Sequence, residues 1–125
     1  MIKQFENRLD ILDFLPWIKQ VPITDDTHAD IIGRYLSGYY QGLIGTKDGK
    51  PVALMIYYVN EKTSTLFIVL LYAKKQVIGF YKEFLSLCKE HKIKKVRGRS
   101  VHDIGILKNL LIDAKKLYSV YEKEI

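Results

Sequence analysis

The chain has 125 residues, of which 48% are hydrophobic and 27% charged, and a formal net charge of +6. That length can bury a core without covalent staples and suits one domain, residues 1–125, while the composition excludes disordered and fibrous classes. The longest apolar run, 66–73, is far shorter than the roughly 20 residues of a membrane-crossing helix, so no membrane partner is expected.

Residues 1–10 carry acids early and lack the basic-then-apolar order of a secretory signal, so the protein is expected not to be secreted. The single cysteine, Cys88, lies among helix-core residues and reads as a small buried apolar group in a reducing compartment. The positive charge is uneven. Residues 1–73 hold seven Lys and Arg against eight Asp and Glu, and residues 74–125 hold thirteen against six. The second half can therefore attract phosphate or an acidic surface through its field.

In chain order, residues 1–5 alternate weakly, as a short edge strand would. Asn7 can cap a helix with Leu9, Leu12 and Leu15 on its apolar side, which Pro16 should end or kink. Thr24 or Thr27 can cap a second helix whose buried face is Ile31, Ile32, Tyr35, Leu36 and Tyr39, with Gly38 and Gly42 at its exit. The period then changes to that of strands. Residues 42–46 are extended, Asp48-Gly49 is a hairpin turn signal, and residues 52–59 are apolar on both alternating sets, as in a strand covered on both faces.

After a polar turn at 60–64, residues 65–73 form another continuous apolar, β-branched-rich strand, which completes a three-stranded meander. A helix follows, with Val77, Tyr81, Phe84, Leu85 and Cys88 on one stripe and Lys82, Glu83, Lys89 and Glu90 opposite. It ends at His91-Lys92. Residues 93–96 read as a strand that a right-handed crossover places parallel to 65–73. A short helix from Asp103, with Ile104, Leu107, Leu110 and Leu111 inward, and a closing strand at 117–121 complete a mixed α/β order.

A meander feeding a crossover helix, then strand, helix and strand, resembles the GNAT (N-acetyltransferase) superfamily over nearly the whole chain. Locally, 42–59 (GLIGTKDGKPVALMIYYV) looks like its second and third strands and 93–101 (IKKVRGRSV) like its fifth. The resemblance implies a central, mostly antiparallel sheet of about six strands with helices on both faces.

It also implies a coenzyme site. In the family the fourth strand ends at an R/Q-x-x-G-x-G/A loop, where consecutive N–H groups at a helix start hold the pyrophosphate of acyl-CoA. The matching stretch is Lys74-Lys75-Gln76-Val77-Ile78-Gly79, in which Val77 occupies a glycine position and crowds a phosphate. Leu70, Leu71 and Tyr72 would supply main-chain groups for the pantetheine arm, and Lys74 or Lys75 charge for phosphate. Many members carry a tyrosine general acid near the last helix. The matching residues 106–113 contain none, while Tyr118 and Tyr121 read as cross-strand packing, so no catalytic acid or base can be named; Glu61 and His102 are the nearest carboxylate and imidazole to consider.

The segment 100–114 (SVHDIGILKNLLIDA) is similar to GNAT-like internal virion proteins of tailed phages. That likeness implies a cytoplasmic or virion-associated shell that docks in an assembly with a protein partner. Two functions stay open: an acetyl-CoA-dependent N-acyltransferase acting on an amine, and a non-catalytic binding or structural protein, which the motif losses favour. His28, His91 and His102 lack metal-ligand spacing with one another or with Cys88, so no metal is expected. Ser100 lacks a nucleophile elbow. Six cations in eleven residues, Lys89, Lys92, Lys94, Lys95, Arg97 and Arg99, could contact a nucleic acid, although alternation along a strand divides them between two faces.

Overall fold

The computed structural model describes residues 1–21, 23, 27–73, 78–99, 115–117 and 120–124. Its sheet grows from one turn. Asp48 (φ 54°) and Gly49 (φ 76°) both take the left-handed conformation that a two-residue hairpin needs, joining β2 (Gln41–Lys47) to β3 (Lys50–Asn60). The next turn leads into β4 (Thr65–Ala73), antiparallel to β3. With β1 (Ile2–Gln4), β5 (Lys95–Arg99), β6 (Lys115–Leu117) and β7 (Val120–Glu124), the sheet has seven strands in the order β1-β2-β3-β4-β5-β7-β6.

Only the β4–β5 pairing is parallel, as the crossover predicts. The seventh strand arises because the expected closing strand at 117–121 is a hairpin, with Leu117 opposite Val120.

Helices cover both faces. Against one face lies a 3₁₀ turn (Arg8–Phe14) capped by Asn7, then α1 (Leu15–Gln20) and α2 (His28–Leu36). Pro16 sits in the first turn of α1, where its missing N–H costs nothing, and so it begins a helix that the sequence reading has it end. The preceding turn is 3₁₀, with three residues per turn, so the inward positions differ from an α-helical stripe. Ile11 and Ile18 are fully buried, whereas Leu9 and Leu12 are exposed. In α2, Ile31 and Tyr35 point inward as expected; Tyr39 lies beyond the helix and is exposed.

Thr27 caps α2 reciprocally. Its hydroxyl accepts from Asp30 N–H, and the Asp30 carboxylate accepts from Thr27 N–H, so two orphan donors are satisfied. Arg8 ties this layer to β2 by donating to the carbonyls of Tyr35 (2.7 Å) and Tyr40 (2.9 Å) and to Gln41 Oε1 (3.0 Å). These helices enclose Leu54, Ile56 and Leu70 from the sheet.

On the other face, α3 (Ile78–Glu90) packs Phe84 and Cys88 against Met55, Leu66, Ile68 and Val96. Its end is a Schellman turn: Ile93 N–H reaches Cys88 O (2.9 Å), Lys92 N–H reaches Lys89 O (3.1 Å), and Lys92 is left-handed (φ 57°). Ile93 is consumed in this cap, buried beside Cys88, and β5 therefore begins two residues later than the strand expected at 93–96. Glu83 binds the edge strand to α3, accepting from Ile2 N–H (2.9 Å) with the Met1 ammonium 3.8 Å away.

Two substitutions test this packing by urea unfolding. A Cβ at Gly42 would lie 2.9 Å from the Phe5 ring and 3.1 Å from Tyr35, and Gly42→Ala is expected to lower stability by about 1–3 kcal/mol. Lys92→Gly relieves a left-handed non-glycine residue and should raise stability by about 0.5–1 kcal/mol.

Candidate functional site

The distinctive geometry is a fork. Thr65 to Ile68 of β4 pair with Lys95 to Gly98 of β5, and among the described residues no strand pairs with that edge of β4 beyond Ile68. On its other edge β4 follows β3 to Ala73 but shifts register: Ile56 faces Leu70 and Tyr57 faces Ile68, so Val69 is an inserted residue. Such a bulge bends and twists one strand away from its neighbour. Here it falls at the residue where parallel pairing stops.

The stretch Val69–Ala73 thus offers main-chain donors and acceptors to an added extended chain, in the manner of strand addition. The helix α3 begins five residues after Ala73, with its partial positive pole directed toward the region that β4 leaves.

The residues assigned to the coenzyme divide accordingly. Leu70 is buried against the α1–α2 layer, Leu71 is half-buried toward α3, and Tyr72 is half-buried with its ring stacked on Trp17 (4.8 Å between centroids). Ile78 and Gly79 open α3. Lys74, Lys75, Gln76 and Val77 lie outside the described residues, as do Ser100, His102, the helix expected from Asp103, and Tyr118. Thr24, the alternative cap of α2, is also outside them.

Proton-transfer groups are sparse at the fork. Neither β3 nor β4 contains a carboxylate or imidazole. Glu61 follows the far end of β3, next to the start of β4, and is separated from Ala73 by the length of a nine-residue strand, about 30 Å. His91 lies at the end of α3, also away from the fork. The Cys88 thiol is buried, and burial pushes its pKa up to about 12, so it stays protonated and unreactive near neutrality. Among the described residues no group of three His, Cys, Asp or Glu side chains could hold a metal, and no helix is long and apolar enough to cross a membrane.

Of the basic stretch, Lys89, Lys92 and Lys94 are exposed around the end of α3. Lys95, Arg97 and Arg99 lie on β5, their backbones in register with Glu124, Glu122 and Val120 of β7. The structure also brings together residues that sequence spacing left unrelated. Tyr40, Tyr58 and Phe67 form a cross-strand stack (5.6 and 4.8 Å), with Arg97 over Phe67 and Arg34 bonded to the Tyr40 hydroxyl. The ring faces are turned to one another and to a guanidinium, which leaves edges rather than faces for an outside partner.

No protein-family model and no curated protein matches this sequence. Among solved structures, the chain is similar to a probable acetyltransferase from Staphylococcus epidermidis, with a TM-score of 0.72, 11% identity, and coverage of 99% of this chain and 98% of that one. It is similar to the ribosomal-protein-S18-alanine N-acetyltransferase from Escherichia coli at a TM-score of 0.71 and 10% identity, covering 100% and 93%. A third, the PaiA N-acetyltransferase from Thermoplasma acidophilum in complex with coenzyme A, gives a TM-score of 0.64 at 11% identity, covering 100% and 99%. The chain has the fold of the GNAT acetyltransferases.

Burial raises the Tyr57 phenol above its ordinary 10.0, against the lowering effect of a hydrogen bond from the Gln4 side chain. A raised folded-state value favours the neutral phenol, so its contribution to stability is complete below pH 10 and is lost as pH rises through that raised value. Melting temperature should accordingly fall as pH rises above 10, and Tyr57→Phe should make that fall shallower.

Proposed function

We propose that this chain is a non-catalytic binding protein on the GNAT fold, one that keeps the open β4 edge of a coenzyme groove and has lost the chemistry around it. The observation that carries this reading is the composition of the fork. Val69 to Ala73 and the facing Ala53 to Ile56 present apolar side chains and one stacked tyrosine, with nothing to remove a proton from an attacking amine. Val77, in place of a glycine, narrows the approach of a pyrophosphate, and residues 106–113 hold no tyrosine to protonate a thiolate. The main-chain edge is independent of side chains and survives these losses, so weak acyl-CoA binding through the pantetheine arm accords with the same reading. The similarity of 100–114 to internal virion proteins of tailed phages supports docking in a larger assembly, through a protein partner, as the role of such a shell.

The second reading, transfer of an acyl group from acetyl-CoA to an amine, is favoured by the Val69 bulge and by end-to-end similarity to acetyltransferases, one of them with bound coenzyme A. Lys74, Lys75 and Gln76 to Gly79 would then hold phosphate. Nucleic-acid contact through Lys89, Lys92 and Lys94 would be strongly salt-dependent, and the engagement of Arg97 with the Phe67 ring weighs against it as the main role.

Calorimetric titration with acetyl-CoA, run beside a thiol-release assay over a panel of amines, separates the two. The expected result is affinity on the order of millimolar, no turnover, and about 1.4 kcal/mol of added stability at tenfold the dissociation constant. Val77→Gly should tighten binding about tenfold, roughly 1.4 kcal/mol. Sustained turnover would overturn the non-catalytic reading.

A further inference from the structure

A second concavity lies at the other end of the sheet. Between the C-terminal half of α3 and the β1–β2–β3 wing runs a cleft of about 680 Å³. It extends from Ile2 and Phe84 to Glu61 and Lys92. Gln4 is in register with Leu43 and through it with Met55, and Glu61 is six residues further along, so the cleft is about 20 Å long. Its volume is that of a small-molecule site.

The walls are preformed. Leu66, Phe84, Cys88 and Ile93 are each at least nine-tenths buried and belong to the α3 core, so the hollow is bounded by packed side chains rather than by a loop. Leu43, Val59 and Leu87 extend the apolar surface outward. The polar groups along the wall are neutral: Gln4 and Tyr57, hydrogen-bonded to each other, with Gln41 and Ser64. Charge is confined to exposed rim residues of both signs, Glu61 against Lys3 and Lys92, and the His91 imidazole is exposed at the same rim.

We propose that this cleft binds an uncharged, elongated, mostly apolar molecule bearing one neutral hydrogen-bonding group, such as a long-chain alcohol, ketone or amide. An ionic head inside would lose its hydration with no opposite charge on the wall to replace it, whereas an alcohol or amide can exchange water for the Ser64 hydroxyl. The high pKa of the Cys88 thiol reports the same low polarity. An apolar body is stabilised by about 25 cal/mol for each Å² withdrawn from water. The cleft touches β4 at Leu66, in the stretch paired with β5, and none of its lining residues belongs to the fork at Val69–Ala73, so it is independent of whether the chain binds acyl-CoA.

The test uses the full chain and the neutral fluorophore N-phenyl-1-naphthylamine. Its emission should rise on binding the native protein, with decanol displacing it and decanoate and decyltrimethylammonium each at least tenfold weaker. Coenzyme A should not displace it. Val59→Trp, which fills the cleft from an exposed β3 position, should weaken binding at least tenfold; Leu43→Trp is the second filling variant should the first fail to fold cooperatively. No binding to the native state, displacement by coenzyme A, equal competition by the charged amphiphiles, or unchanged affinity in a folded filled variant would each overturn the proposal.

Discussion

The architecture depends on the unequal pairing of β4. On one side it follows β3 from Asn60–Thr65 to Ala53–Ala73, and on the other it holds β5 for only four residues. A strand held on both edges is rigid and closed to ligands; a strand held on one edge has backbone groups to offer. The inserted Val69 stands at the boundary between these conditions and bends the strand where β5 leaves it. Both the fork and the approach to α3 follow from that bulge.

The rest of the molecule steadies β4 without closing its edge. Its side chains reach two separate cores, and the Val69 insertion switches the face: Leu66 and Ile68 contact the α3 layer, and Leu70 the α1–α2 layer. Each layer is then tied to the β1–β2 side by a charged group that meets backbone: Arg8 through the carbonyls of Tyr35 and Tyr40, Glu83 through Ile2 N–H. Charge-assisted bonds of this kind are roughly twice as strong as neutral ones, and here they fix the angle of layers that apolar contact alone would leave free to slide. Between the layers the sheet remains accessible at two places, the β4 fork and the cleft below α3, which differ in character. The fork offers main-chain hydrogen-bonding groups, and the cleft offers apolar area with neutral side-chain partners.

This division bears on function. A main-chain edge has weak side-chain requirements, and the chain keeps the GNAT fold at 10–11% identity over nearly the full length of these structural neighbours. The arrangement of charge follows the same logic. A basic half that looks suited to polyanions on a linear reading is partly engaged within the protein, where the Arg97 guanidinium lies over the Phe67 ring. Tyr58 and Phe67, which could have presented faces for stacking, turn them to each other.

The sequence by itself determined the elements with strong local causes: the Asp48-Gly49 hairpin, the two-sided apolar strands β3 and β4, the capped α2 and the amphipathic α3. In each the signal is a period of two or 3.6 residues, or a turn residue with a known dihedral preference. It also marked Leu70 to Tyr72 as an edge through the family resemblance. Tertiary structure alone decided the rest. Ile11 and Ile18, not Leu9 and Leu12, face inward because the first turn is 3₁₀; Ile93 caps α3 instead of starting β5; and the closing strand is divided into β6 and β7, paired antiparallel. The bulge at Val69 and the cleft below α3 have no sequence signature, because each arises from register between segments distant along the chain, and register is set by which apolar faces meet rather than by any residue alone.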